Sequence, residues 1–219
     1  MIVTIDGPAG SGKSDVGRRV AEELGLGFLD SGLMYRAVGC LAVEEGVSLA
    51  DVEGLTRLAG TTTVRIEGKS VLVDGRDYTD HVYDPEISEA ASQVAQVAGV
   101  RLAVVAQLRA MGRGGVVMAG RDIGTDVFPD ADFKFFLTAS SEERTRRRAS
   151  QLARRGEPAE PGLLRVEIEE RDRRDAGRAV APMRPADDAV VLQTDGMELS
   201  DVVAEVVRRV AQGPTVEER

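Results

Sequence analysis

The sequence predicts an α/β protein built on a mostly parallel sheet with helices on both faces. Three observations carry that prediction. Short apolar runs alternate with longer amphipathic segments, the short runs close on small or polar residues, and 42% of the 219 residues are apolar. That is enough for one α/β domain with a small insertion. In sheets of this kind ligands sit beyond the carboxyl ends of the strands, which here carry Gly7, Asp30, Gly120 and Thr138.

Ile2, Val3 and Ile5 form a buried-strand run ended by Asp6-Gly7. Val16, Val20 and Leu24 then recur every four residues and Gly25 stops the pattern, which reads as a helix. Phe28-Leu29 is a second strand closing at Asp30-Ser31-Gly32, and a helix follows through Tyr35 to about Glu45, ended by Gly46. Thr63 to Ile66 and Ser70 to Val73 are β-rich around Glu67-Gly68-Lys69, a hairpin signal, and Asp74 to Asp77 reads as another turn. This is a small antiparallel insertion outside the main sheet. Ile87 to Met111 is helical, broken near Ala98-Gly99, and Val116 to Met118 and Phe133 to Leu137 return to the strand pattern. Ser140 is placed to cap a helix, with Glu143 reaching back to complete a capping box. Residues 154–162 contain Gly156, Pro158 and Pro161 and read as a mobile loop, followed by a polar helix from Leu163 to Asp175. Ala189 to Leu192 is the last strand. Val202, Val203, Val206, Val207 and Val210 line one face of the last helix, and the tail from Gly213 is expected to fray.

A formal net charge of −9 argues against a non-specific grip on nucleic acid or an anionic membrane. Anion binding must therefore come from local clusters of positive charge, nearly all of it arginine, since Lys13, Lys69 and Lys134 are the only lysines. One cysteine, Cys40, and one histidine, His81, exclude an intrachain disulfide and a zinc site of the His/Cys type. The chain opens in an apolar strand without a charged leader, and no run of about 18 apolar residues is present, so a soluble cytoplasmic protein is expected.

Gly7-Pro8-Ala9-Gly10-Ser11-Gly12-Lys13-Ser14 matches the phosphate-binding pattern G-x-x-x-x-G-K-[ST] between a predicted strand and a predicted helix. The glycines let successive backbone N–H groups face phosphates, and the helix adds the positive end of its dipole. Lys13 is suited to bridge the β- and γ-phosphates of ATP, and the Ser14 hydroxyl to coordinate Mg²⁺. Asp15 puts a carboxylate in the first turn, which is harmless if it points away from the nucleotide. A GTPase would need an Asn-Lys-x-Asp element to read its base, and none of the three lysines has such neighbours. A small-molecule kinase needs a second anion site instead. Arg36 and Arg121 stand at strand ends, and Arg171, Asp175 and Arg178 are spaced to share a helical face. Arg144, Arg146 and Arg148 read as a solvated helix face.

Four further blocks accompany the loop: Asp30-Ser31-Gly32 with Tyr35-Arg36; Ala90 to Ala95 followed by Val100-Arg101; Gly120-Arg121-Asp122-Ile123-Gly124-Thr125; and Arg171-Asp172 through Arg178 to Pro182. In order and spacing the chain resembles the bacterial cytidylate (CMP) kinases from its first strand to beyond Pro185. The resemblance implies a nucleoside-monophosphate-kinase fold with a five-stranded parallel core sheet flanked by helices. It divides the chain into a core over 1–60 and 98–219, a short lid near 154–164, and an acceptor-binding insertion over 61–97. It also implies that Ser31, Arg36, Arg121 and Arg178 hold the CMP phosphate, and that Ser92, Arg101 and Asp122 read the cytosine. Arg171 and Asp175 then serve the ribose and the transfer region, and Arg147 packs near the ATP adenine. The implied reaction is ATP with CMP or dCMP. A kinase for UMP, AMP or another small metabolite on the same fold stays open, and a monomer is expected by analogy. The chain departs from the family at Ala119, where an acidic residue often precedes Gly-Arg-Asp.

Overall fold

The computed structural model describes residues 1–68, 70–157 and 159–213. The expected frayed tail therefore lies largely outside the described residues, as do Lys69 of the hairpin turn and Pro158 of the polar loop.

Strand β1 (Ile2–Asp6) runs parallel to β6 (Val116–Gly120) on one side and to β7 (Phe133–Thr138) on the other. Val3, Ile5, Val117 and Leu137 have no exposed surface, the continuous apolar character expected of strands covered on both faces. With β2 (Gly27–Asp30) and β8 (Val190–Gln193) the five-stranded sheet has the order β2-β6-β1-β7-β8. The chain reaches both neighbours of β1 only much later. The loop that leaves β1 therefore opens at the middle of the sheet's carboxyl edge, where α/β sheets hold ligands.

The chain forms two compact units, Met1–Phe28 with Gly115–Gly177 and Ala181–Arg219, and Leu29–Gly114 with Arg178–Val180. In the first, α1 (Lys13–Leu24) and α8 (Leu199–Gln212) pack together. Val16, Val20 and Ala21 of α1 join Val202, Val203, Val206 and Val210 of α8 in one core with the strand residues. Gly17 lets α1 approach Phe28 closely, since a Cβ there would lie 2.7 Å from the Phe28 ring. Helices α6 (Ser141–Arg154) and α7 (Pro161–Ala176) pair with each other. Ser140 caps α6 as expected, its Oγ accepting the Glu143 N–H at 3.2 Å. The reciprocal half of the capping box is not made: Asp195 takes the Ser140 N–H at 3.0 Å, and the Glu143 carboxylate turns to Arg146 and Arg147.

The second unit contains α2 (Gly32–Glu44), α3 (Val52–Thr61), α4 (Pro85–Val94) and α5 (Ala98–Met111) with a small antiparallel sheet. Its strands are β3 (Val64–Glu67), β4 (Ser70–Val73) and β5 (Arg76–Asp77). Helix α2 packs on α4, where Gly39 lies against Ala90, and α3 packs on α5. Two features differ from expectation. Helix α3 was not anticipated, because Gly54 and Gly60 dilute its pattern, although Asp51 caps it by accepting the Gly54 N–H at 2.9 Å. The expected turn at Asp74 to Asp77 is shorter. Asp74 and Gly75 both take positive φ, 49° and 82°, reversing the chain so tightly that Arg76 and Asp77 pair with Val73 and Leu72 as a third strand.

Candidate active site

The turn after β1 has the shape its glycines require. A Cβ on Gly7 would lie 2.1 Å from the Leu137 carbonyl oxygen, and Gly10 and Gly12 take left-handed φ of 75° and 87°, Gly12 as the N-cap of α1. The buried Lys13 ammonium reaches back across the loop and donates to the Pro8 carbonyl at 3.1 Å. Ser11 Oγ is buried with no hydrogen-bond partner among the described residues. Ser14 is half-buried on the first turn, and Asp15 beside it is exposed.

Side chains from α6 and α7 surround this loop. The Asp172 carboxylate accepts the Ala9 N–H at 2.9 Å, Arg144 donates to the Ala9 carbonyl at 2.8 Å, and Arg144 and Asp172 are ion-paired with each other. Arg144 was expected on a solvated face with Arg146 and Arg148. Instead it is buried, with a further bond to the Ala139 carbonyl, while Arg146 remains 69% exposed. Arg147 also points at the loop, donating to the Ser11 carbonyl at 3.3 Å and to Thr194 Oγ1 at 2.9 Å.

At the adjoining strand end, Arg121 Nε donates to the Asp175 carboxylate at 2.8 Å. Asp122 follows and opens a π-helical turn, Ile123–Val127. The buried Asp6 carboxylate accepts the N–H groups of Ile123 at 2.9 Å and Gly124 at 2.8 Å. Burial pushes Asp6 up to about 6. The two amides and Lys13 pull it down, and Asp122 adds to the upward push. Asp6 was not singled out in the sequence. Its only signal there is a carboxylate closing an apolar strand. Ala119, at the position where the family often has an acid, is fully buried opposite Ile5.

Arg171 and Asp175 share α7, but Arg178 does not: Gly177 closes the helix, so the expected common face ends two residues early. Arg178 is buried and belongs to the second unit with Ser31, Arg36, Ser92 and Arg101. In that unit Ser31 occupies the N-cap position of α2, and Arg36 donates to the Val82 carbonyl at 2.6 Å. Arg101 is 2% exposed and stands 5.6 Å from the Tyr35 ring centroid. Ser92 is buried, and its hydroxyl has no hydrogen-bond partner among the described residues. Among the described residues no group of three His, Cys, Asp or Glu side chains is placed to hold a metal, and no single helix is long and apolar enough to cross a membrane.

The chain matches the family model for cytidylate kinase over residues 3–212. The cytidylate kinase of Pelotomaculum thermopropionicum is 48% identical over 217 residues, covering 96% of both chains. That of Desulforamulus reducens is 46% identical over 215 residues, covering 96% of this chain and 97% of the relative. Among solved structures, shikimate kinase from Bacteroides thetaiotaomicron aligns with a TM-score of 0.50 over 96% of this chain and 98% of the other, at 14% identity, a likeness of fold alone. With its parallel sheet, phosphate loop and near full-length match, this chain belongs to the cytidylate kinase family.

Proposed function

We propose that the protein transfers the γ-phosphoryl group of ATP to CMP and dCMP, releasing ADP with CDP or dCDP. The observation that carries this reading is the extent of the family match, residues 3–212, which takes in the donor loop and every arginine of the acceptor set.

The loop from Gly7 to Ser14, through those backbone N–H groups that no side chain already holds, and the Lys13 ammonium hold the donor phosphates, and Arg147 lies beside the adenine. Were Mg²⁺ to accompany ATP, the Ser14 hydroxyl is the protein group that would hold it, and the ion would supply positive charge against the donor phosphates. Ser31, Arg36, Arg121 and Arg178 take the acceptor phosphate. Ser92, Arg101 and Asp122 read the cytosine, while Arg171 and Asp175 serve the ribose and the transfer region. The acceptor phosphate has a second pKa of about 6 and is largely dianionic at pH 7, so no general base is needed. One of its oxygens forms a bond to the γ-phosphorus as the bond to the β-γ bridging oxygen breaks, and ADP leaves with that electron pair. The obstacle is repulsion between two polyanions, and lysine, arginines and Mg²⁺ offset it while aligning the partners. Arginine suits the acceptor side because its planar fork donates in two directions. Closure of the 61–97 segment and of a lid near 154–164 excludes water, which would otherwise hydrolyse ATP. The protein acts as a cytoplasmic monomer.

A coupled ADP-release assay with CMP, dCMP, UMP and AMP in parallel tests the reading. Turnover concentrated on CMP and dCMP is the expected result; a preference for UMP or AMP would move the acceptor assignment to that nucleotide.

A further inference from the structure

We propose that Arg144 and Asp172 are positioning residues for the donor nucleotide, a clamp that holds the Ala9 peptide of the phosphate loop in its binding shape and ties it to α7.

Ala9 lies in a segment whose glycines at 7, 10 and 12 all take positive φ, so the free loop has many accessible shapes. Any freedom it keeps must be given up when phosphates bind, which weakens binding. Both polar groups of the Ala9 residue are held by side chains: the N–H by Asp172 at 2.9 Å and the carbonyl by Arg144 at 2.8 Å. The two side chains are ion-paired and only 16% and 10% exposed, so the ring of contacts is closed and largely shielded from water. Arg144 is itself fixed by its Nε bond to the Ala139 carbonyl at 3.1 Å, just beyond β7. Gly10 completes the fit, since a Cβ there would stand 2.9 Å from the Arg144 carbonyl oxygen.

The clamp reaches further through α7. Asp172 follows Arg171 directly and precedes Asp175 by one helical turn, and Asp175 holds Arg121. One helix thus carries the contact to the donor loop and the contact that orients Arg121, an arginine of the acceptor set. Electrostatics explains why the pair comes as a pair. A bare carboxylate at the loop would repel the donor's phosphates, and the Arg144 guanidinium cancels it. Removing Arg144 is therefore worse for ATP than removing the charge of Asp172, and removing both is better than removing Arg144 alone.

This rests on the reading of the loop as the donor site, so one measurement is independent of activity. In the full-length protein, hydrogen exchange at the Ala9 amide is expected to accelerate at least about tenfold in Asp172→Ala. Calorimetric titration with ATP should show Kd raised at least about tenfold in Arg144→Met, partly restored in Arg144→Met/Asp172→Asn, and intermediate in Arg144→Lys, which keeps the charge but loses the Nε bond to the Ala139 carbonyl. KM for CMP should stay within about twofold throughout, and urea midpoints identify any variant that simply fails to fold. Unchanged Ala9 exchange, or no recovery in the double variant, overturns the clamp. Accelerated exchange with unaltered ATP affinity refutes its part in donor binding and sets the clamp apart from the donor-site reading. A parallel rise of both KM values contradicts it as well.

Discussion

Arg121 and Asp175 form an ion pair of 2.8 Å with side chains only 15% and 7% exposed, joining the residue after β6 to the last turn of α7. A guanidinium free in solution samples many orientations; one held at Nε by a largely buried carboxylate does not. Asp175→Asn keeps the shape and removes the charge. It should lower kcat/KM for CMP on the order of 10²-fold while KM for ATP changes far less. Steady-state kinetics with each substrate varied in turn decides this, and an unchanged kcat/KM would leave the pair with a folding role alone.

Lys13 is expected to act in the transition state more than in the ground state. Lys13→Met should still bind ATP, held by the loop amides, but lose roughly 10³-fold or more in kcat. Single-turnover measurements beside nucleotide titration separate the two effects. Near-normal turnover would remove Lys13 from its assigned role.

Arg178→Met should harm the acceptor side alone. KM for CMP is expected to rise and kcat to fall, with ATP affinity kept within about twofold. Were ATP affinity the quantity that changed, Arg178 would belong with the donor.

Asp6 makes stability depend on pH in a stated direction. Burial raises its folded-state value from 3.8 to about 6, so between these values the folded protein holds a proton that the unfolded chain has released. The stability associated with the neutral carboxyl is therefore fully present below about 4 and is lost as pH rises through 6. By pH 7 the loss is roughly 3 kcal/mol. Asp6→Asn cannot ionise. Relative to wild type, its urea-unfolding free energy should improve by up to about that amount between pH 4 and pH 7. Parallel curves for the two proteins would mean that Asp6 does not titrate in this range.

The parts of the fold and site that were legible in the sequence are those with local causes. The loop from Gly7 to Ser14 is specified by its own spacing, and Val16, Val20 and Leu24 announce α1 because four-residue recurrence is a property of the helix itself. What escaped depended on distant partners. Arg144 looks like its neighbours Arg146 and Arg148 until Ala9, 135 positions away, takes its guanidinium. The amides that hold Asp6 come from residues 117 and 118 positions later. Spacing alone puts Arg178 on one helical face with Arg171 and Asp175, but Gly177 ends that helix first. In α3 the local signal was present, an Asp51 cap with Leu55 and Leu58, but two glycines in ten residues obscured it.

The proposed reaction moves the phosphoryl group directly from one phosphate to another, without a covalent enzyme intermediate. Cys40 is no ready nucleophile, since burial pushes its thiol up to about 11, and His81 is 71% exposed at the side chain. The most direct test is the stereochemical course with ATP made chiral by isotopic substitution at its γ-phosphorus. A single in-line displacement predicts inversion of configuration in the CDP formed; retention would require two displacements through a phosphorylated residue and would contradict the account.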